Sequence, residues 1–209
     1  MTRFGVILSS GGTRGVFAHT GFMAALKDLG LQVTASSGCS AGAIVGAVIA
    51  SGTSVGSWAE AITRVRTDQF WSPFLTWRFL WGLLVKQGRG LTGLSDTARA
   101  VKFIEEQLEA DRFEDCIYPF TSIAVDLETV DKHMFSSAPL APAAMASAAI
   151  PGFYTPVEID GRLYCDGAII DLAPAEAICC RYSLDVLLIH HVQQQEFTRE
   201  GLSRALEQP

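Results

Sequence analysis

The sequence predicts an α/β fold on a mostly parallel central sheet. Three observations carry that expectation. Strand-like and helix-like segments alternate along the chain. Glycine-rich turns follow each of the first two strands. The helix after the second turn is apolar on every side, as a helix buried in a core must be. A chain of 209 residues suits one domain with a sizeable core. No internal repeat or low-complexity linker divides it.

Residues 3–9 read as the first strand, and residues 14–29 as a helix closed by Gly30. Leu31 to Ala35 reads as the next strand. The stretch Ala41 to Ala50 is rich in small apolar residues and too short to span a bilayer, so it reads as a buried helix, with Gly52 as its C-cap. Residues 54–66 continue as another helix. Phe70 to Val85 stands apart: Trp71, Trp77 and Trp81 fall here, with Phe70, Phe74 and Phe79. An aromatic stretch of this kind, at about 70–90, fits either core or a lid that meets lipid. A helix capped by Ser95 or Asp96 follows. "YPFTSIAVDL" and "KHMFSS" read as strands joined by an acidic turn. "APAAMASAAI" is a short helix stopped by Pro151, "RLYCDG" a strand ending in a turn, and "DVLLIHHV" a late buried strand. The tail after Glu196 reads as a surface helix.

Composition narrows the function classes. Hydrophobic residues make up 49% and charged residues only 18%, with a net charge of -6. No basic stripe is visible, which argues against nucleic acid and against a polybasic membrane anchor. The five cysteines form no C-x-x-C pair, so neither a disulfide framework nor a zinc site reads out. A reducing, cytoplasmic setting is the expectation. The apolar run before the first glycines is too short for a signal-peptide core, and no stretch reaches the roughly 18 apolar residues of a membrane span.

Gly38-Cys39-Ser40-Ala41-Gly42 fits G-x-S-x-G between a strand and a helix, the context of a nucleophile elbow. Glycines permit the sharp turn, and the following helix aims N–H groups at developing negative charge. A serine nucleophile needs a base, and two arrangements are open. One is a triad of Ser40, Asp166 or Asp171, and His190 or His191. Against it, the elbow comes unusually early and both histidines lie in an apolar strand. The other is a dyad of Ser40 with Asp166, which ends a strand at Asp166-Gly167. Partial desolvation would make that carboxylate a better base. Cys39 reads as a small buried residue, His19 as structural and His133 as solvent-facing.

The loop Ser10-Gly11-Gly12-Thr13-Arg14-Gly15, the G-x-S-x-G, the flank from Ala146 to Val157 and the distant Asp166-Gly167-Ala168 occur in an order that resembles the patatin-like phospholipase family, its bacterial members in particular. The resemblance runs from about residue 4 to about 175. It implies a three-layer α/β/α fold, a Ser40–Asp166 dyad, and an oxyanion hole on Gly11, Gly12, Thr13 and Arg14, with Gly15, Gly38, Gly42 and Gly167 in support. It implies no metal or cofactor and a phospholipid or other lipid ester as substrate; the aromatic segment, by its Trp and Phe content, adds peripheral membrane contact as an expectation. Two positions depart from the family pattern: Ser10 replaces the first glycine of the loop, and Leu172 stands where an Asn is common. A nucleotide-binding glycine loop is the rival reading. It is weakened because G-x-G-x-x-G is broken at Ser10 and no acidic residue lies about 20 residues beyond. A lipid-binding or regulatory module with little turnover is the alternative from a different class.

Overall fold

The computed structural model describes residues 2–66 and 93–193. The aromatic segment at about 70–90 and the tail after Glu196 therefore lie outside the described residues. Strand β1 (Phe4–Leu8) leads into helix α1 (Gly12–Asp28), then β2 (Val33–Gly38), α2 (Ala41–Ala50) and α3 (Val55–Arg64). After the gap come β3 (Gly93–Ser95), α4 (Ala98–Glu105), β4 (Phe120–Asp126) and β5 (Asp131–Phe135). The chain continues with α5 (Leu140–Ser147), β6 (Gly152–Tyr154), β7 (Val157–Ile159), β8 (Arg162–Asp166), α6 (Glu176–Cys179) and β9 (Val186–His190).

The alternation read from the sequence builds the parallel half of a seven-stranded sheet, β9-β1-β2-β4, in which every neighbouring pair is parallel. The other half is antiparallel and made of hairpins. β5 turns back on β4, and β7 and β8 form a tight pair through Asp160 and Gly161, both at positive φ. Positive φ at two successive turn residues matches the right-handed twist of the strands they join.

The register decides where the site lies. Ser122 of β4 faces Phe135 of β5 and Gly38 of β2, and Ala124 faces His133 of β5 and Asp166 of β8. A strand has two edges. β5 takes one, so β2 and β8 share the other. β2 runs parallel to β4 and β8 antiparallel, so the two approach each other and their C-terminal ends meet at the middle of β4.

The core lies mainly on one face of the sheet, where Val6 and Leu8 of β1 and Phe120 and Ala124 of β4 pack under α1 to α5. On the opposite face Ile7 and Ala35 meet Ile178 of α6. Every residue of α2 is buried, as its apolar circumference requires. No helix among the described residues is long and apolar enough to cross a membrane.

Three local expectations change. β9 is partly exposed rather than buried, because among the described residues it pairs only with β1 and forms an edge of the sheet. Ser95 belongs to β3; Thr97 occupies the cap of α4, and Asp96 accepts the Ala98 N–H at 3.2 Å. His133 is not solvent-facing: its ring packs against Phe135 and Tyr164 at 4.4 and 5.2 Å, the neighbours that strand pairing places beside it.

Candidate active site

Ser40 sits where β2 turns into α2. Its backbone is at φ 53°, ψ -119°, a region that costs a non-glycine residue about 1–3 kcal/mol and persists only where the surroundings impose it. The imposing contacts are tight. A Cβ on Gly38 would come 2.3 Å from the Gly42 carbonyl oxygen, and one on Gly42 would come 2.1 Å from the Leu8 carbonyl oxygen. Neither glycine has positive φ, so both serve close approach of α2 to the strand ends.

Asp166 arrives from the opposite direction at the end of β8. Its Oδ2 accepts the Ser40 hydroxyl at 2.9 Å, and its Oδ1 accepts the Ala168 N–H at 2.8 Å. Both residues are buried, at 5% and 3% exposure. Burial pushes the Asp166 carboxyl up to about 6, against the lowering effect of its two hydrogen bonds. The result is a carboxylate that is ionised at neutral pH and more basic than an exposed one. Among the described residues no metal-ligating cluster of three or more groups is present.

The glycine loop lies beside this pair. Gly15 packs directly on Ala41: a Cβ on Gly15 would meet the Ala41 Cβ at 3.0 Å. The first helical hydrogen bond of α1 runs from Gly15 N–H to Gly11 C=O at 2.9 Å. The N–H groups of Gly12, Thr13 and Arg14 precede it and have no partner within the helix. Gly12 is at φ +55° and faces open space. The Arg14 side chain is exposed. The two departures from the family pattern meet each other, since Ser10 N–H donates to Leu172 C=O at 2.8 Å. That bond uses backbone atoms and ties the loop to the turn after Asp166.

Gly12, Thr13 and Ser40 open onto a cavity of about 370 Å³ whose wall also carries Ile44, Trp58, Phe103 and Arg66. Trp58 is fixed by its indole N–H, which donates to Thr20 Oγ1 at 2.9 Å. Ile44, Trp58 and Phe103 are apolar contributions from α2, α3 and α4 that no local motif announces; the apolar faces of those helices were the available signal.

Of the triad candidates, Asp171, His190 and His191 do not converge on Ser40. Asp171 is held by Lys132 at 3.0 Å. His190 bonds His19, Nδ1 to Nδ1 at 2.7 Å, and stacks on Phe22. His19 is structural, as expected. Burial brings its imidazole down to about 4, so it is neutral. Its Nε2 contacts the Ser9 carbonyl at 2.7 Å and must be the protonated nitrogen, because a carbonyl only accepts. Nδ1 of His19 then accepts from His190. His191 is exposed. Neither His190 nor His191 is hydrogen-bonded to Ser40 or Asp166 among the described residues. Cys39 is buried, and burial raises its thiol well above the usual range, which keeps it protonated.

Residues 6–178 match the sequence model described as Patatin-like phospholipase. An uncharacterized NTE family protein of Mycobacterium tuberculosis is 34% identical over 178 residues, which are 84% of this chain and 45% of that protein. A patatin-like phospholipase domain-containing protein of Caenorhabditis elegans is 27% identical over 83% of this chain and 12% of its own length. The chain thus spans less than half the length of the curated relatives it matches. Among solved structures, VipD from Legionella pneumophila superposes with a TM-score of 0.61 at 13% identity, over 99% of this chain and 53% of VipD. That likeness is one of fold.

Proposed function

Because the chain belongs to the patatin-like phospholipase family, we propose that it is a lipid acyl hydrolase in which Ser40 and Asp166 act as a dyad. One observation carries the reading: a buried serine hydroxyl lies 2.9 Å from a buried carboxylate, at the wall of a mostly apolar cavity.

The chemistry follows from the geometry. Ser40 Oγ attacks the carbonyl carbon of an ester whose acyl chain lies in the cavity. Asp166 Oδ2 takes the hydroxyl proton as the C–O bond forms. Negative charge collects on the former carbonyl oxygen, facing the free N–H groups of the α1 first turn, with the positive ends of two helix dipoles nearby. The intermediate collapses, and Asp166 returns the proton to the departing alkoxide. Water then gives up a proton to Asp166 and attacks the acyl-serine; as the acyl–Oγ bond breaks, Asp166 returns that proton to Ser40 Oγ and the acid is released. A mostly apolar cavity beside an uncharged hydroxyl suits an ester tail.

The test is covalent labelling by a fluorophosphonate together with hydrolysis of phospholipids, lysophospholipids, triglycerides and acyl-thioesters. The reading expects a single labelled residue, Ser40, and hydrolysis that disappears in Ser40→Ala. Lipid binding without labelling or turnover would instead make the chain a lipid-binding module.

A further inference from the structure

We propose that Ser147 is a positioning residue that holds the Ser40 backbone in place and so sets the Ser40–Asp166 distance; this rests on the dyad reading above. Ser147 is the last residue of α5 and is fully buried. Its Oγ accepts the Ser40 N–H at 2.9 Å. Two residues further, the Ala149 carbonyl accepts the Asp166 N–H at 3.0 Å. One short stretch therefore grips the backbone of both members of the pair.

Packing does not account for a serine here. The rest of α5 is apolar, chiefly alanine with Leu140, Pro142 and Met145, and an alanine at 147 would fill nearly the same space. The hydroxyl is what differs, and its acceptor lone pair meets the nucleophile's own amide. The neighbouring amides are committed elsewhere, Cys39 N–H to Leu8 C=O and Gly42 N–H to Cys39 C=O. Without Ser147 Oγ the buried Ser40 N–H would lack an acceptor, an unfavourable state for a backbone amide. Ser40 is also the residue held at φ 53°. Losing the bond gives the elbow both a reason and the freedom to relax, which moves Oγ off Asp166.

The role is separable from simple structural support. The Ser40 hydroxyl bond lowers the Asp166 pKa, so a displaced hydroxyl moves the acid limb of activity to higher pH. The other titratable groups next to Asp166 are the thiols of Cys39 and Cys165, both raised by burial and neutral. Asp171 is paired with Lys132.

The experiment compares Ser147→Ala, Ser147→Cys and Ser147→Thr with the parent chain. Cys keeps the side-chain size but offers sulfur, a weak acceptor; Thr keeps the oxygen. Circular dichroism and thermal melting report folding, fluorophosphonate labelling reports nucleophile alignment, and kcat, KM and their pH profiles are read on a soluble short-chain ester. The Ala and Cys variants are expected to label and turn over about 10- to 100-fold more slowly, the scale of a misplacement near 1 Å. Their KM should stay within about twofold, because the cavity is untouched. Their acid limb should rise above about 6, and Thr should recover most of the lost rate. A folded Ala or Cys variant that labels at the parent rate overturns the proposal. So does rate loss with an unmoved acid limb and no recovery in Thr, and so does failure of both Ala and Cys to fold, which makes Ser147 a folding residue. If the parent chain itself does not label, the dyad reading has failed instead.

Discussion

At Ser40 and Asp166 the two demands on a protein, stability and reactivity, pull apart. Asp166 is ionised in a buried place where its carboxyl has been pushed up to about 6, and ionisation there is unfavourable. Under the proposed mechanism the same burial makes it a better base for the Ser40 hydroxyl. Asp166→Asn keeps the size of the side chain and an oxygen for the Ala168 N–H, but it cannot accept a proton. It should fold normally and lose nearly all hydrolysis. In the parent chain kcat/KM should fall as pH drops through about 6, because protonated Asp166 cannot take the serine proton. A profile flat down to pH 4 would remove Asp166 as the base. Gly12 offers a second test at this scale. It has positive φ and open space before it, so Gly12→Val meets no clash in the resting protein but carries about 1–2 kcal/mol of backbone strain. Its side chain would enter the space where the oxyanion must approach the loop. The expected result is a folded variant with little turnover, and unchanged kcat would take the loop out of the mechanism.

Among the elements, the edge strand β9 and helix α3 carry the clearest expectations. His190 at the end of β9 bonds His19, and its partner His19 reaches the Ser9 carbonyl just before the glycine loop. His190→Gln and His191→Gln should therefore keep most turnover and, above all, keep the acid limb near pH 6, which belongs to Asp166. A triad would show a loss of about 10³-fold or more on removing its histidine. In α3, Trp58 is 1% exposed, packs near Phe103 and lines the cavity. Trp58→Ala should cost about 3–5 kcal/mol of stability, seen in chemical denaturation. In the folded fraction the enlarged cavity should favour longer acyl chains across a series of soluble esters.

For the whole molecule, the raised Asp166 carboxyl becomes a dependence of stability on pH. The folded state holds the proton up to about 6, against an ordinary value of 3.8. Well below pH 4 both states are protonated and Asp166 costs nothing. As pH rises from about 4 to about 6 the unfolded state ionises while the folded state keeps its proton, so stability falls by up to about 3 kcal/mol and stays level above 6. Asp166→Asn should thus melt higher than the parent chain at pH 7–8, and the difference should close toward pH 4. Equal melting temperatures at pH 8 would mean that the carboxylate is not held at a raised pKa.

Much of this was legible in the one-dimensional chain for a physical reason. Strand and helix periods, and the glycine-flanked turn at Ser40, are local properties written in adjacent residues. So were the parallel strands β1, β2 and β4 and the wholly buried α2. The hairpin of β7 and β8 was signalled by Asp160-Gly161 but went unread, and β9 looked buried because an apolar strand does not reveal whether it has one neighbour or two. Which acidic residue meets Ser40 was not local. Asp166 and Asp171 are both followed within a few residues by turns, and only the shared edge of β4, with β2 and β8 running toward each other, brings one of them to 2.9 Å and leaves the other to Lys132. The same holds for Ser147, one small residue in an alanine-rich run until the fold lays its hydroxyl on the Ser40 amide. Residue types and local turns set what chemistry the chain can offer; long-range strand register and helix packing decide which groups touch, because only tertiary contacts bring together residues more than a hundred positions apart.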